Sequence, residues 1–483
     1  MYDSMTIVDY LFEIRGNSSF MKGFSKFGRI TTTVVAFALL LGVLATAFYL
    51  RSATHAAGIA SHPIVVKPKY LRAGNTIKSS DPNIKFSCQT PGAPVRCYGP
   101  NQIRTAYDIQ RVLDAGINGT GSTIVIIDAF QSPTIRHDLQ TFDTLFALHT
   151  ATLNIIAPDG LTPFNPKDPN QIGWAGEITL DVEWSHVIAP NATIDLVLAK
   201  SNDDADILSA TKFAADHNLG DVISQSFGEG ETCMAPALRT IQHQIFQEAV
   251  NKGITLFASS GDEGAAQPTC NGASFFLSAS TPASDPLVTA VGGTYLNANP
   301  QSGKYHGESA WNDSFGASGG GFSTLFSRPG FQSGAVDKSQ RGVPDIAYDG
   351  DVNGGVLTVW SSSGLGTNLV FIFGGTSAGS PQSAGELALV NQKFGRQGDI
   401  NPILYEGFAR HGYSEFFHDI TVGTNTFTGA GSNGKTVTII GYNTRQGWDP
   451  VTGLGSLIFG NTIFGPPGSA TMPLATTYWR QNK

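Results

Sequence analysis

Short runs of apolar, β-branched residues recur through the middle of the chain: Ser122 to Ala129 (STIVIIDA), Ala192 to Ala199 (ATIDLVLA), Asp221 to Gln225, Ile254 to Ala258, and a run that includes Val288 to Val291. Near-continuous apolarity in such short runs predicts strands buried on both faces. Between them, apolar positions recur at helical spacing over about Trp174 to Ile188, Asp203 to His217 and Pro236 to Lys252, and a long helix is expected from Thr376 to about Phe394. Strand alternating with helix predicts an α/β fold, a parallel sheet with helices on both faces, whose site lies at the carboxyl ends of the strands. Residues 51–100 carry Pro63, Pro68, Pro82, Pro91, Pro94 and Pro100 with little periodicity, which predicts an extended stem. The tail after Phe464 (GPPGSATMPL) reads as irregular. The expected organisation is an n-region at 1–29, an apolar segment at 30–50, the stem at 51–100 and one domain over 101–483.

The apolar segment, Ile30 to Leu50, holds no charge and is long enough to cross a bilayer. Lys22, Lys26 and Arg29 precede it, which predicts a cytoplasmic N-terminus. Ala45-Thr46-Ala47 resembles a signal cleavage site, but the run exceeds a usual signal core, so cleaved signal and uncleaved anchor both stay open. Either way the rest of the chain is expected outside the cytoplasm, secreted or held on a membrane, as a monomer. Charged residues make up only 14% of the chain and the net charge is −8; without a Lys/Arg cluster this excludes nucleic acid as a partner. Low charge also suits life in acid, because few carboxylates lose partners on protonation. Four cysteines, Cys88, Cys97, Cys233 and Cys270, follow the apolar segment. An even count in an exported chain predicts disulfides, and local pairing (88 with 97, 233 with 270) is favoured among three connectivities.

The candidate chemistry begins at Gly374-Gly375-Thr376-Ser377-Ala378-Gly379-Ser380-Pro381. A glycine pair lets backbone pass close to a ligand, and a hydroxyl residue then sits at the mouth of a helix, where N–H groups are unpaired and the dipole is positive. Such a place can hold a nucleophile and an oxyanion together. On the helix Gly176 to Trp184, Glu177 and Asp181 stand at i and i+4, about 40° apart, on one face, whereas Glu183 points elsewhere. Leu180, Trp184, Val187 and Ile188 imply that this helix is buried, so at least one acid should have a raised pKa and the pair should share protons. Asp262, in Ser259-Ser260-Gly261-Asp262, is offered at a strand's carboxyl end. Ser226, Phe227 and Gly228 end the preceding strand likewise, and their backbone suits pairing with an extended peptide.

In this order (a Glu-x-x-x-Asp helix, a Ser-Gly-Asp turn, a Gly-Thr-Ser-x-x-x-Pro serine) the chain resembles the sedolisin family, the serine-carboxyl peptidases, over roughly Asn101 to Phe464. The resemblance implies a subtilisin-like fold and peptide or protein substrates. It implies Ser377 as nucleophile, Glu177 as general base, Asp181 orienting Glu177, and a protonated Asp262 donating to the oxyanion beside the Ser377 N–H. A carboxylate base can work in acid, where histidine would be protonated. It also implies one Ca²⁺, held by the side chains of Asp419 and Asp449 and the carbonyls of Ile420, Arg445 and Gly447, in the stretches 417–423 and 445–450. The family often has glycine where Arg445 stands. Most sedolisins carry a large pro-domain, for which the residues between the apolar segment and the domain leave no room.

Two other readings stay open: a non-catalytic exported binding protein on the same fold, and an ordinary subtilisin-type hydrolase. Ile124 to Asp128 resembles the strand that delivers the subtilisin aspartate, but no His-Gly-Thr-His type motif is present. His186 faces away from the acids by helical phase, and Asp262 replaces the amide that subtilisins place in the oxyanion hole. Asp128 reads as a strand-end cap or a group behind the site.

Overall fold

Residues 62–76, 86–467 and 477–479 are described in the structure, a computed structural model. The apolar segment Ile30 to Leu50 lies outside them, as does much of the tail. Among the described residues, no helix is long and apolar enough to cross a membrane.

The strands of the two main sheets are, in chain order, β1 (Lys69–Thr76), β2 (Thr123–Ala129), β3 (Thr152–Ile156), β4 (Thr193–Ala199), β5 (Val222–Gln225), β6 (Thr255–Ser259), β7 (Thr289–Ala298), β8 (Tyr305–Ala310), β9 (Ile346–Asp349), β10 (Val356–Val359) and β11 (Leu369–Gly374). The helices that matter for function are α1 (Pro169–Ile188), α2 (Asp204–Asp216), α3 (Pro236–Asn251) and α4 (Thr376–Phe394). An eight-stranded sheet has the order β8-β7-β6-β5-β2-β4-β3, with β9 also paired to β7. Its pairs are parallel except β7 with β8. Near-continuous burial of β2, β4, β5 and β6 explains their unbroken apolar sequences, since helices cover both faces. Because these strands are parallel, β2, β5 and β6 end on one edge. That edge carries Asp128, Ser226 and Asp262.

Helix α1 starts with Asp168 accepting the Asn170 N–H at 3.0 Å and Pro169 in the first turn, five residues before the apolar periodicity becomes visible. From Gly173 to Ile188 every residue is buried. Its neighbour α4 runs parallel to it: Ser185 Oγ donates to the Pro381 carbonyl at 3.4 Å, and a Cβ on Gly385 would come 2.6 Å from Ile188 Cβ. The small residues of α4 thus allow a close helix approach, and the approach brings the Glu177 face to the start of α4. Fully burying side chains such as Trp184 and Leu180 contributes roughly 1.5–3 kcal/mol each, which offsets the cost of burying acids on the same helix.

The expected stem needs correction where it is described. β1 pairs antiparallel with β11, Lys69 opposite Gly374, in a three-stranded sheet with β10. Phe86, Cys88, Cys97 and Tyr98 are buried, and the Tyr98 hydroxyl donates to the Leu296 carbonyl at 3.0 Å. Residues from 61 onward belong to one compact unit with the domain. Extended chain added to a sheet edge satisfies its backbone without a periodic apolar pattern, which is why it reads as linker. The disulfides are Cys88–Cys97 and Cys233–Cys270, the local pairing.

Candidate active site

Strand β11 ends at Gly374, and Gly375 turns the chain into α4 with φ of 97°. A Cβ there would stand 2.8 Å from Asp262 Oδ2, so glycine is needed for conformation and for space. The turn places Ser377 in the first turn of α4, where its N–H has no partner within the helix. Pro381 cannot donate to the Ser377 carbonyl four residues earlier; that carbonyl accepts the Ser226 hydroxyl at 3.3 Å instead. In return the Ser377 hydroxyl donates to the Ser226 carbonyl at 3.3 Å. The tip of β5 and the mouth of α4 are thereby clipped together.

Glu177, Ser226, Phe227, Gly228, Asp262 and Ser377 line one cavity of about 800 Å³. Asp181 lies behind Glu177, fully buried. Glu177 is pushed well above the usual carboxylate range by burial and then by the Asp181 charge, while the nearby Ser377 hydroxyl pulls it down. Neither Glu177 oxygen makes a hydrogen bond of normal length. Asp181 is raised by burial and then by Asp128, and lowered by the Ser226 hydroxyl. Asp128 is raised by burial and then by Glu177. Asp128, Glu177 and Asp181 therefore form one desolvated set, and none has an ion-pair partner among the described residues. Asp128 is closer to the chemistry than a strand-end cap. Of the two sequence readings, a strand-end cap or a group behind the site, the second fits this position near the end of β2.

Asp262 stands on the opposite wall. Its Oδ1 accepts the Thr376 N–H at 2.8 Å and the Thr376 hydroxyl at 2.9 Å, and that hydroxyl accepts the Gly261 N–H at 3.1 Å. Thr376 is a positioning residue that the motif alone does not reveal. Burial raises the Asp262 pKa, and the Lys69 ammonium opposes it. The arrangement leaves Oδ2 beside Gly375. His186 is remote from this wall, with Nε2 2.8 Å from the His149 carbonyl and 3.2 Å from Asp143. Among the cavity-lining residues the one imidazole is His62.

The residues expected to hold a cation meet in a separate place. Asp419 accepts the Gly447 N–H at 3.1 Å and the Tyr413 hydroxyl at 3.0 Å. Asp449 is fully buried and accepts N–H groups from Arg445 (3.1 Å), Val451 (2.9 Å) and Thr452 (2.8 Å); burial pushes it up to about 6. Neither carboxylate is in an ion pair among the described residues, since the Arg445 guanidinium reaches Asp337 (3.0 Å) and the Trp448 carbonyl. Two acids without a cationic partner, amid turn carbonyls, suit a hard oxygen-binding cation. Arg445 is not among the residues with positive φ, so it can offer its carbonyl without strain, whereas Gly447 has φ of 74°. Among the described residues, no three His, Cys, Asp or Glu side chains converge as a metal-binding group, so carbonyls would supply most ligands.

A parallel sheet that brings a serine at a helix mouth against a carboxylate instead of an imidazole defines a subtilisin-like protein with a serine–carboxyl site. The comparisons agree: the Subtilase family model matches residues 170–402. The chain is 33% identical over 394 residues to kumamolisin of Bacillus sp. (strain MN-32), covering 77% of this chain and 64% of that protein. It is 30% identical over 380 residues to sedolisin of Pseudomonas sp. (strain 101), covering 74% and 60%. Among solved structures it matches Pseudomonas sedolisin complexed with two molecules of pseudo-iodotyrostatin, with a TM-score of 0.63 and 29% identity, over 76% of this chain and 97% of that one. By these likenesses the chain is similar to the sedolisins, the serine-carboxyl peptidases. It spans less than two thirds of the length of these curated relatives.

Proposed function

We propose that the chain is an exported, acid-active serine-carboxyl peptidase. The observation that carries this reading is the convergence of Ser377, Glu177 and Asp262 on one cavity. The Ser377 oxygen attacks the scissile carbonyl carbon as its proton passes to the Glu177 carboxylate. The resulting oxyanion takes hydrogen bonds from the Ser377 N–H and the protonated Asp262. Collapse expels the amine, which leaves with the proton from Glu177, and water then hydrolyses the acyl-enzyme by the reverse sequence. Backbone of Ser226 to Gly228 pairs with the extended peptide. Asp181 and Asp128 titrate together with Glu177, so the first proton lost from the set leaves a carboxylate facing Ser377 while the others keep theirs. Two disulfides and the apolar run Ile30 to Leu50 support export.

The pH dependence has a defined sign. The acidic limb marks the first ionisation of the Glu177 set. The alkaline limb marks loss of the Asp262 proton, after which the group repels an oxyanion; this restrains the enzyme near neutrality. Asp262→Asn carries an amide that donates at every pH. A kcat/KM profile of this variant should lose the alkaline limb, or shift it upward by at least about one pH unit, at reduced peak rate. An unshifted limb would remove Asp262 from the oxyanion hole.

We further propose that Asp419, Ile420, Arg445, Gly447 and Asp449 hold one Ca²⁺, which ties the C-terminal turn to the domain. EGTA should lower Tm by about 3 °C, restored by Ca²⁺, if the ion is bound at about a hundredfold over its Kd. Asp449→Asn should have the lower Tm in either condition. A Tm indifferent to chelator and Ca²⁺ would exclude the ion.

A further inference from the structure

The catalytic cavity has a second polar end that the reaction does not use. Glu229 lines it three residues beyond Ser226, roughly 10 Å along an extended chain. The Glu229 side chain is 8% exposed, and its carboxyl group lies against the His62 ring and the Asp204 carboxyl group. Fully buried Asp204, the first residue of α2, stands behind it and accepts the His62 N–H at 3.3 Å. Burial raises both carboxyl groups; the neighbouring Asp204 pushes Glu229 further up, to about 9, while the hydrogen bond with Glu229 pulls Asp204 down. A buried acid pair of this kind has no packing purpose, but it matches a side chain that brings positive charge and N–H donors.

The chain supplies one such side chain itself. His62 Nδ1 is 3.1 Å from Glu229 Oε2. The backbone around it is held like an added strand: the Ile64 N–H donates to the Asn202 carbonyl at 2.8 Å, the Asp204 N–H donates to the His62 carbonyl at 3.1 Å, and Pro63 bridges Asp203 in antiparallel sense. From there residues 62–67 follow the cavity wall, and Val66 lies so close that a Cβ on Gly173 would stand 2.8 Å from its carbonyl oxygen. Lys69 leaves the cavity opposite Gly374, with its ammonium 3.6 Å from Glu263. The segment thus runs from the Glu229 end towards the nucleophile in the N-to-C direction. A peptide lying the same way would present to Glu229 a residue on the amino side of the bond to be cut.

We propose that Glu229, backed by Asp204, is a specificity-determining subsite for a basic side chain two to four residues before the scissile bond, and that His62 occupies it as a built-in pseudosubstrate. The assignment rests on the peptidase reading of the same cavity. The test uses the full chain and quenched peptides at pH 4 in which each of those positions is set in turn to Lys, Arg, His or norleucine. At one position the wild type should prefer the basic residues by about tenfold or more in kcat/KM. In Glu229→Gln, and in Asp204→Asn as a second variant, that ratio should fall to within about twofold of one. A flat wild-type profile at all three positions, or the same preference in folded variants, would overturn the subsite. Failure of the wild type to cleave any peptide would count against the peptidase reading alone. The subsite would then be read by fluorescence anisotropy of a labelled peptide of residues 62–68 (HPIVVKP) on His62→Ala, against the same peptide with norleucine for histidine. Tighter binding of the histidine peptide, lost in His62→Ala/Glu229→Gln, would sustain it; equal binding would end it.

Discussion

Ser377→Ala is expected to reduce kcat/KM for peptide cleavage at pH 4 on the order of 10⁵–10⁶-fold, with little change in Tm. The size follows from the proposed role: among the described residues no other hydroxyl stands both at the mouth of α4 and beside Glu177, so the acyl-enzyme would have nowhere else to form. The small stability effect follows from the contacts, since the hydroxyl makes one hydrogen bond of 3.3 Å, to the Ser226 carbonyl. Casein digestion and single-peptide kinetics on both proteins check it. Equal activity in the variant would disqualify Ser377. An inert wild type at every pH from 3 to 8 would favour the binding-protein reading. Glu177→Gln should fall by a comparable factor, because removing the base leaves the nucleophile's proton without an acceptor.

The second large effect is on stability. Asp128, Glu177, Asp181, Glu183, Asp349 and Glu386 are all raised well above the usual carboxylate range, each by burial first. In the unfolded chain such groups titrate near about 4. Between that pH and their higher folded values the native state holds more protons than the unfolded state, so unfolding becomes easier as pH rises. The protein should therefore be most stable near pH 4, with Tm falling on the order of 10 °C by pH 7. A thermal scan at constant ionic strength measures this. A Tm that rises towards neutrality, as in proteins held by paired carboxylates, would show that these acids have found partners. Glu177→Gln combined with Asp181→Asn should flatten the slope, since amides have no proton to lose.

What was legible in the sequence follows from how local each signal is. The runs at 122–129, 192–199, 221–225 and 254–258 announce strands because both of their faces are buried, and the helices between them announce themselves by spacing. Glu177 and Asp181 could be placed on one face because four residues of helix fix their relation. The pairing of β1 with β11 joins segments far apart in the chain, so proline-rich extended residues read as a stem. The start of α1 was five residues early for a related reason: Pro169-Asn170-Gln171 is polar, and the cap at Asp168 is its only marker. Thr376, Asp204, Glu229 and His62 belong to the same class. Each is an ordinary residue until tertiary contacts set it against Asp262 or against one another. Asp128 carries a strand motif in plain view, but that it shares a titrating set with Glu177 depends on α1 lying against the tip of β2.

The path of residues 62–67 along the reaction cavity has a topological consequence. The first 61 residues, with the apolar run Ile30 to Leu50, are joined to the domain by this one stretch of backbone. A single hydrolytic cut there would sever them, yet the new amino terminus would stay put, because Lys69–Thr76 remains zipped to Leu369–Gly374. Loss of the residues before such a cut is therefore mechanically independent of the integrity of the domain's fold.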